Sequence, residues 1–98
     1  MTEPVQVLSI PPDATELGGT EIFRAFVVDG GLSVSFIRAF EDPSTWGVLL
    51  VDIIRHLRRT YAAEDGVSED EVEEKILAMM SVELGRPTDL GATSTINH

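Results

Sequence analysis

The stretch from Glu41 to Ala63 constrains this chain more than any other, because it holds the one long apolar element in the sequence. Asp42 stands where an N-cap carboxylate accepts from the orphan amides of a first helical turn, and its charge suits the positive helix end. Pro43 follows at the first helical position, where the missing N–H costs nothing. At about 100° per residue, Trp46, Leu49, Leu50, Ile53, Ile54, Leu57 and Tyr61 share one broad face. Asp52, Arg55, His56, Arg58 and Arg59 fall on the other. Glu64-Asp65-Gly66 supplies the stop, with Gly66 free to turn left-handed. Val48 and Val51 lie outside the main apolar face, so the first half of the helix is apolar almost all round. A helix of that kind is covered on two sides. One cover should be a sheet; the other is a second helix or another copy of the chain.

The sheet is written just upstream. Thr20–Val28 and Leu32–Phe40 flank Asp29-Gly30, the strongest short hairpin signal. A two-residue loop sets Val28 against Gly31, Val27 against Leu32, Ala25 against Val34 and Phe23 against Phe36. One face is then wholly apolar, closed at its end by Glu21 opposite Arg38. The other face pairs Phe26 with Ser33, Arg24 with Ser35 and Ile22 with Ile37. A slip of one residue would mix Arg24 with Phe36, so burial fixes the register. Ile22, Phe26 and Ile37 leave the second face partly apolar, and a lone hairpin is marginal in water. Further pairing is expected, from the N-terminal segment as a third strand or from a second chain.

Downstream, Ser68-Glu69-Asp70-Glu71 has the spacing of a capping box. It opens a second helix whose stripe centres on Val72, Ile76, Met79 and Met80, flanked by Leu77 and Leu84. Gly85 ends it and Pro87 prevents resumption. Near the start, Asp13 to Glu16 also has capping spacing, but Gly18-Gly19 follows too soon for more than a turn, and a plain loop fits equally well. Residues 1–6 and 88–98 read as loosely held termini, with Leu90 or Ile96 as candidate anchors.

The expected fold is therefore α+β: an antiparallel hairpin, three-stranded if a further segment joins it, packed on a long central helix and followed by a second helix. Ninety-eight residues form one domain with one modest core. There is no cysteine, which excludes disulfides, thiolate metal sites and a cysteine nucleophile. The 17 acids against 7 bases give a net charge of −10, which argues against nucleic acid and anionic membranes as partners. It leaves room for a basic protein partner, although acidity also serves solubility. With no signal-like or membrane-spanning stretch, the cytoplasm is the expected location.

Ile10-Pro11-Pro12, the run Glu41-Asp42-Pro43-x-x-Trp46-Gly47, Leu50-Val51-Asp52 and Pro87-Thr88-Asp89 together resemble a family of small bacterial proteins known only as a domain of unknown function. The resemblance spans most of the chain. It implies a compact α+β domain in a bacterial cytoplasm, and it carries no catalytic residue, ligand or partner.

Candidate sites each have a plainer reading beside them. Asp52 and His56, one turn apart, could act as an acid–base pair or two metal ligands; they also read as a surface i,i+4 pair. Arg55, Arg58 and Arg59 could hold a small anion, with Trp46 nearby as a stacking platform. They also suit the negative end of a helix and pairing with the protein's own excess acids, and Trp46 suits a core or an interface. Glu64–Glu74 carries seven acids, a docking face for a basic protein or simply a solvated helix start. No phosphate-cradling glycine loop, nucleophile elbow or calcium loop is present, and no metal or cofactor is expected. The leading expectation is a non-enzymatic homodimeric interaction module, with Val48, Val51, Ile22, Phe26 and Ile37 at the interface. An anion-binding protein is the alternative, and an enzyme using Asp52 and His56 is a weaker one.

Overall fold

The computed structural model describes residue 3, residues 6–85 and the backbone of residues 92–96. The expectations placed on Met1, Val5, Pro87 and Leu90 lie outside these residues. The elements run α1 (Pro12–Leu17), β1 (Phe23–Val28), β2 (Gly31–Ile37), α2 (Thr45–Asp65), α3 (Glu69–Gly85) and β3 (Ala92–Ile96).

The hairpin has the expected register at every pair from Phe23↔Phe36 to Val28↔Gly31. Asp29 and Gly30 both take positive φ, 51° and 79°, as a two-residue turn matched to the strand twist requires. The expected closing pair does not form: Glu21 reaches back to Arg24 instead, at 2.6 Å. The third strand also differs from expectation. The segment Val7–Ile10 joins no strand. Ala92–Ile96, read above as part of a tail, lies parallel to β2, giving the order β1-β2-β3.

The close of α2 and the start of α3 follow their sequences, but the start of α2 is displaced from expectation: Ser44, not Asp42, is the N-cap, it makes no side-chain cap bond, and Pro43 lies before the helix. Asp42 Oδ1 accepts from the Ser44 N–H at 2.9 Å. Tight turns at Pro43 and Ser44, with Trp46 N–H donating to Pro43 O at 3.1 Å, lead into α2. Gly66 turns left-handed and its N–H returns to Ala62 O. Ser68 Oγ accepts from Glu71 N–H at 3.1 Å, the first half of the capping box. The reciprocal half is absent, because the Glu71 carboxylate pairs with Lys75. In α1 the helix begins two residues earlier than the capping spacing implied. Pro11 is its cap, and Asp13 lies inside the first turn.

The packing departs from the expected picture. α3 lies against α2, the strands lie against one another, and among the described residues no strand runs along a helix. Sheet and helix meet at Trp46, whose ring stands edge-on to Phe36 at 6.0 Å and to Phe40 at 5.3 Å. Only Ile54 and Val72 are buried among the described hydrophobic residues, and they mark where α2 and α3 cross. α3 covers the row Ile54, Arg58, Ala62, which are i, i+4 and i+8 on α2. Arg58 therefore faces α3, not solvent as its place on the polar side of the wheel implied.

Candidate functional site

The surface most in need of explanation is the apolar face of α2. Leu50, Ile53, Leu57 and Tyr61 lie within about 80° of arc beside Trp46, and each is exposed, Tyr61 by 51%. These residues form the centre of the face that the sequence assigned to the core. On α3, Leu77, Met80 and Leu84 are exposed as well. The apolar face of the hairpin is equally open: Phe23 is exposed and Val27 is 79% exposed. In an ordinary α+β domain a sheet face and a helix face of this kind cover each other. Here they share only the corner at Trp46.

A groove of about 1310 Å³ runs along β1, walled on its far side by Gln6–Pro11 and Ala14. Val7, Leu8 and Ile10 are exposed in that wall. Among the described residues, β1 is paired on one side only, to β2.

The whole chain exposes 8527 Å². A folded monomer of 10.7 kDa exposes about 5,500 Å². Granting the residues outside the description their full extended-chain area still leaves about 1,100 Å² in excess.

The polar candidates are arranged less suggestively. His56 Nε2 stands 3.5 Å from Asp52 Oδ2, with both side chains about two-thirds exposed. Arg59 Nη2 lies 2.9 Å from His56 Nδ1. Since the guanidinium can only donate, Nδ1 accepts and the ring proton sits on Nε2, toward Asp52. The arginines do not converge. Arg55 is exposed on the same face of α2 as Arg59, one turn before it, and Arg58 is turned away from both. Arg58 turns to α3, where Nη1 donates to Glu73 Oε1 at 3.0 Å and Nη2 to Asp70 Oδ1 at 3.1 Å. Its Nε lies 3.3 Å from Glu69 Oε1, an ion contact without hydrogen-bond geometry, and is buried. Part of the acidic run thus serves as the counter-charge for Arg58. Among the described residues, Asp42 is the one group with a clear electrostatic shift. The Ser44 backbone N–H, and then the Ser44 hydroxyl, hold its carboxyl below the usual value.

Among the described residues no cluster of three or more His, Asp or Glu side chains could hold a metal ion. No helix among them is long and apolar enough to cross a membrane.

Of the interface candidates, Val48 and Val51 are exposed on α2, and Ile22, Phe26 and Ile37 are half-buried on the second sheet face. Sequence reasoning missed the larger open surface, formed by Leu50, Ile53, Leu57, Tyr61, Phe23 and Val27. It missed it because an apolar stripe reads identically whether its cover lies in the same chain or in another.

Fold and surface together define a small α+β protein whose sheet and helical layers are both left open. By its residues 7–88 the chain belongs to DUF5076, a family described as a domain of unknown function. It is also similar to a solved structure from the photosynthetic bacterium Rhodopseudomonas palustrus CGA009, provisionally named a pyruvate dehydrogenase. The two share 52% identity over 100% of both chains, with a TM-score of 0.72. No curated protein matches significantly.

Proposed function

We propose that this protein is a non-enzymatic assembly module that works as a homodimer, with the sheet of each copy lying on the α2 face of the other. The observation that carries this reading is the simultaneous exposure of two complementary apolar faces, one on the sheet and one on the helix. Across a twofold axis such faces satisfy each other twice, since each copy offers both. The excess surface supports the same reading. At about 1,100 Å² per chain, or about 2,200 Å² per pair, it reaches the lower end of the range that obligate homodimers bury. Val48 and Val51 lie about 120–180° around α2 from the centre of that face, so they stand outside this contact.

Two properties set the alternatives back. The anion-binding reading loses Arg58 to three carboxylates and Arg59 to His56. An acid–base pair needs exclusion of water, and Asp52 and His56 stand open on a helix surface.

Light scattering coupled to size exclusion tests the dimer. The expected mass is twice that of the 10.7 kDa chain. Ile53→Asp with Leu57→Asp should give a monomer or a chain that no longer melts cooperatively. Wild-type protein that is monomeric and cooperatively folded at tens of micromolar would refute the reading.

A further inference from the structure

We infer that the free edge of β1 pairs antiparallel with β1 of a second copy, so that two three-stranded sheets become one six-stranded sheet centred on Ala25. The inference rests on the homodimer reading and names the contact that fixes its register.

The hydrogen bond from Ile37 N–H to Ile22 O identifies Ile22 and Ile37 as a hydrogen-bonded pair of the hairpin. The alternation of an antiparallel ladder then turns the backbone groups of Ile22, Arg24, Phe26 and Val28 toward β2. Those of Phe23, Ala25 and Val27 point outward into the groove. This edge has none of the devices that discourage pairing. It contains no proline or bulge, and its one charge, Arg24, is folded over its own Phe26 at 5.6 Å from the ring centre. The groove beside it has room for a strand, and its far wall is the apolar segment Val7–Ile10. The occupant is a second copy because the surface left open per chain matches what a stable homodimer buries.

Outward groups must pair with outward groups, which leaves few registers. With Ala25 opposite Ala25, Phe23 faces Val27 twice, three outward pairs form, and roughly six backbone hydrogen bonds result. Arg24 then lies opposite the partner's Phe26, a cation–π pairing. Sliding by two residues in one direction sets Arg24 against Arg24, which is destabilising. Sliding by two in the other direction leaves only two outward pairs. The twofold axis stands perpendicular to the sheet in the favoured register. It keeps both apolar sheet faces on one side, where the helices of the two copies can cover them.

The absence of cysteine makes the test clean. Opposed Cα atoms in a hydrogen-bonded pair are about 5.5 Å apart, within disulfide reach. Ala25→Cys should form a covalent dimer under mild oxidation, in near-complete yield and without loss of fold. Ala25→Pro removes one outward N–H and leaves the bonds to β2 intact. It should weaken the dimer at least tenfold with the far-ultraviolet dichroism preserved. A dimer by light scattering in which Ala25→Cys stays reduced, or which Ala25→Pro leaves unchanged, overturns the β1 pairing and leaves the dimer standing. A monomeric wild type overturns both.

Discussion

Arg58 offers the sharpest test of how the helical layer is held together. Its guanidinium is 22% exposed and is shared by Glu69, Asp70 and Glu73. The three contacts are unequal. Asp70 is 85% exposed, so its bond is a surface pair, worth at most about 1 kcal/mol. Glu73 is 37% exposed, and its 3.0 Å bond approaches the value of about 1.5 kcal/mol for a charged hydrogen bond. Glu69 adds a few tenths of a kcal/mol as an ion contact. Arg58→Met keeps the apolar stem and removes the charge, leaving three carboxylates facing one another. A loss of about 2 kcal/mol follows, or roughly 8–16 °C in Tm for a chain of this size. Arg58→Lys should recover less than half of it, because a single ammonium cannot present a planar fork to three acceptors. Thermal melts at matched protein concentration and at low salt make the measurement, and 1 M salt should narrow the gap. A melting temperature for Arg58→Met within 2–3 °C of wild type, or about 0.5 kcal/mol, would show that desolvation cancels the ion pairs.

Two further predictions concern the helix starts. Ser68→Ala removes the acceptor for the Glu71 N–H and should cost about 1 kcal/mol, while Ser68→Asp should be nearly neutral; urea titration distinguishes the two. The folded-state pKa of Asp42 is lowered below the reference value of 3.8, so its ionised form stabilises the fold at and above that pH. This contribution fades as pH falls below 3.8 and through the folded value. Asp42→Asn should flatten that acid limb of the stability curve and leave the profile above pH 5 parallel to wild type.

The hairpin register, both long helices, the close of α2 and the cap of α3 were legible in the sequence because each rests on local chemistry. Asp29-Gly30 admits one turn, and one face of the resulting ladder is apolar throughout. Gly66 and Ser68 act within a few residues of themselves. β3 was not legible. Ala92-Thr93-Ser94-Thr95-Ile96 has small polar residues, no strong alternation and no turn to tie it to a neighbour, and its partner β2 lies more than fifty residues away. The orientation of α2 was only half legible. The wheel shows where the apolar arc lies but not which part of it α3 takes. That choice follows from Arg58, whose charge is satisfied only on the side where Glu69, Asp70 and Glu73 arrive. The acids of Glu64–Glu74 carried the signal, read as a solvated start or a docking face for another protein.

The sheet ends in two strands of opposite character. β1 presents Phe-Arg-Ala-Phe-Val-Val, and β3 presents Ala-Thr-Ser-Thr-Ile one place beyond β2. A chain with two apolar edges could add copies at either end and grow without limit. If β1 pairs with its own kind as proposed, the five-residue β3 is left as the outer edge of each sheet, and a strand that short is a poor template for further pairing. Association through a self-complementary edge closes on itself after a single step. On that reading the far strand of each sheet limits the size of the assembly without touching the partner, and the product is a pair instead of a fibre.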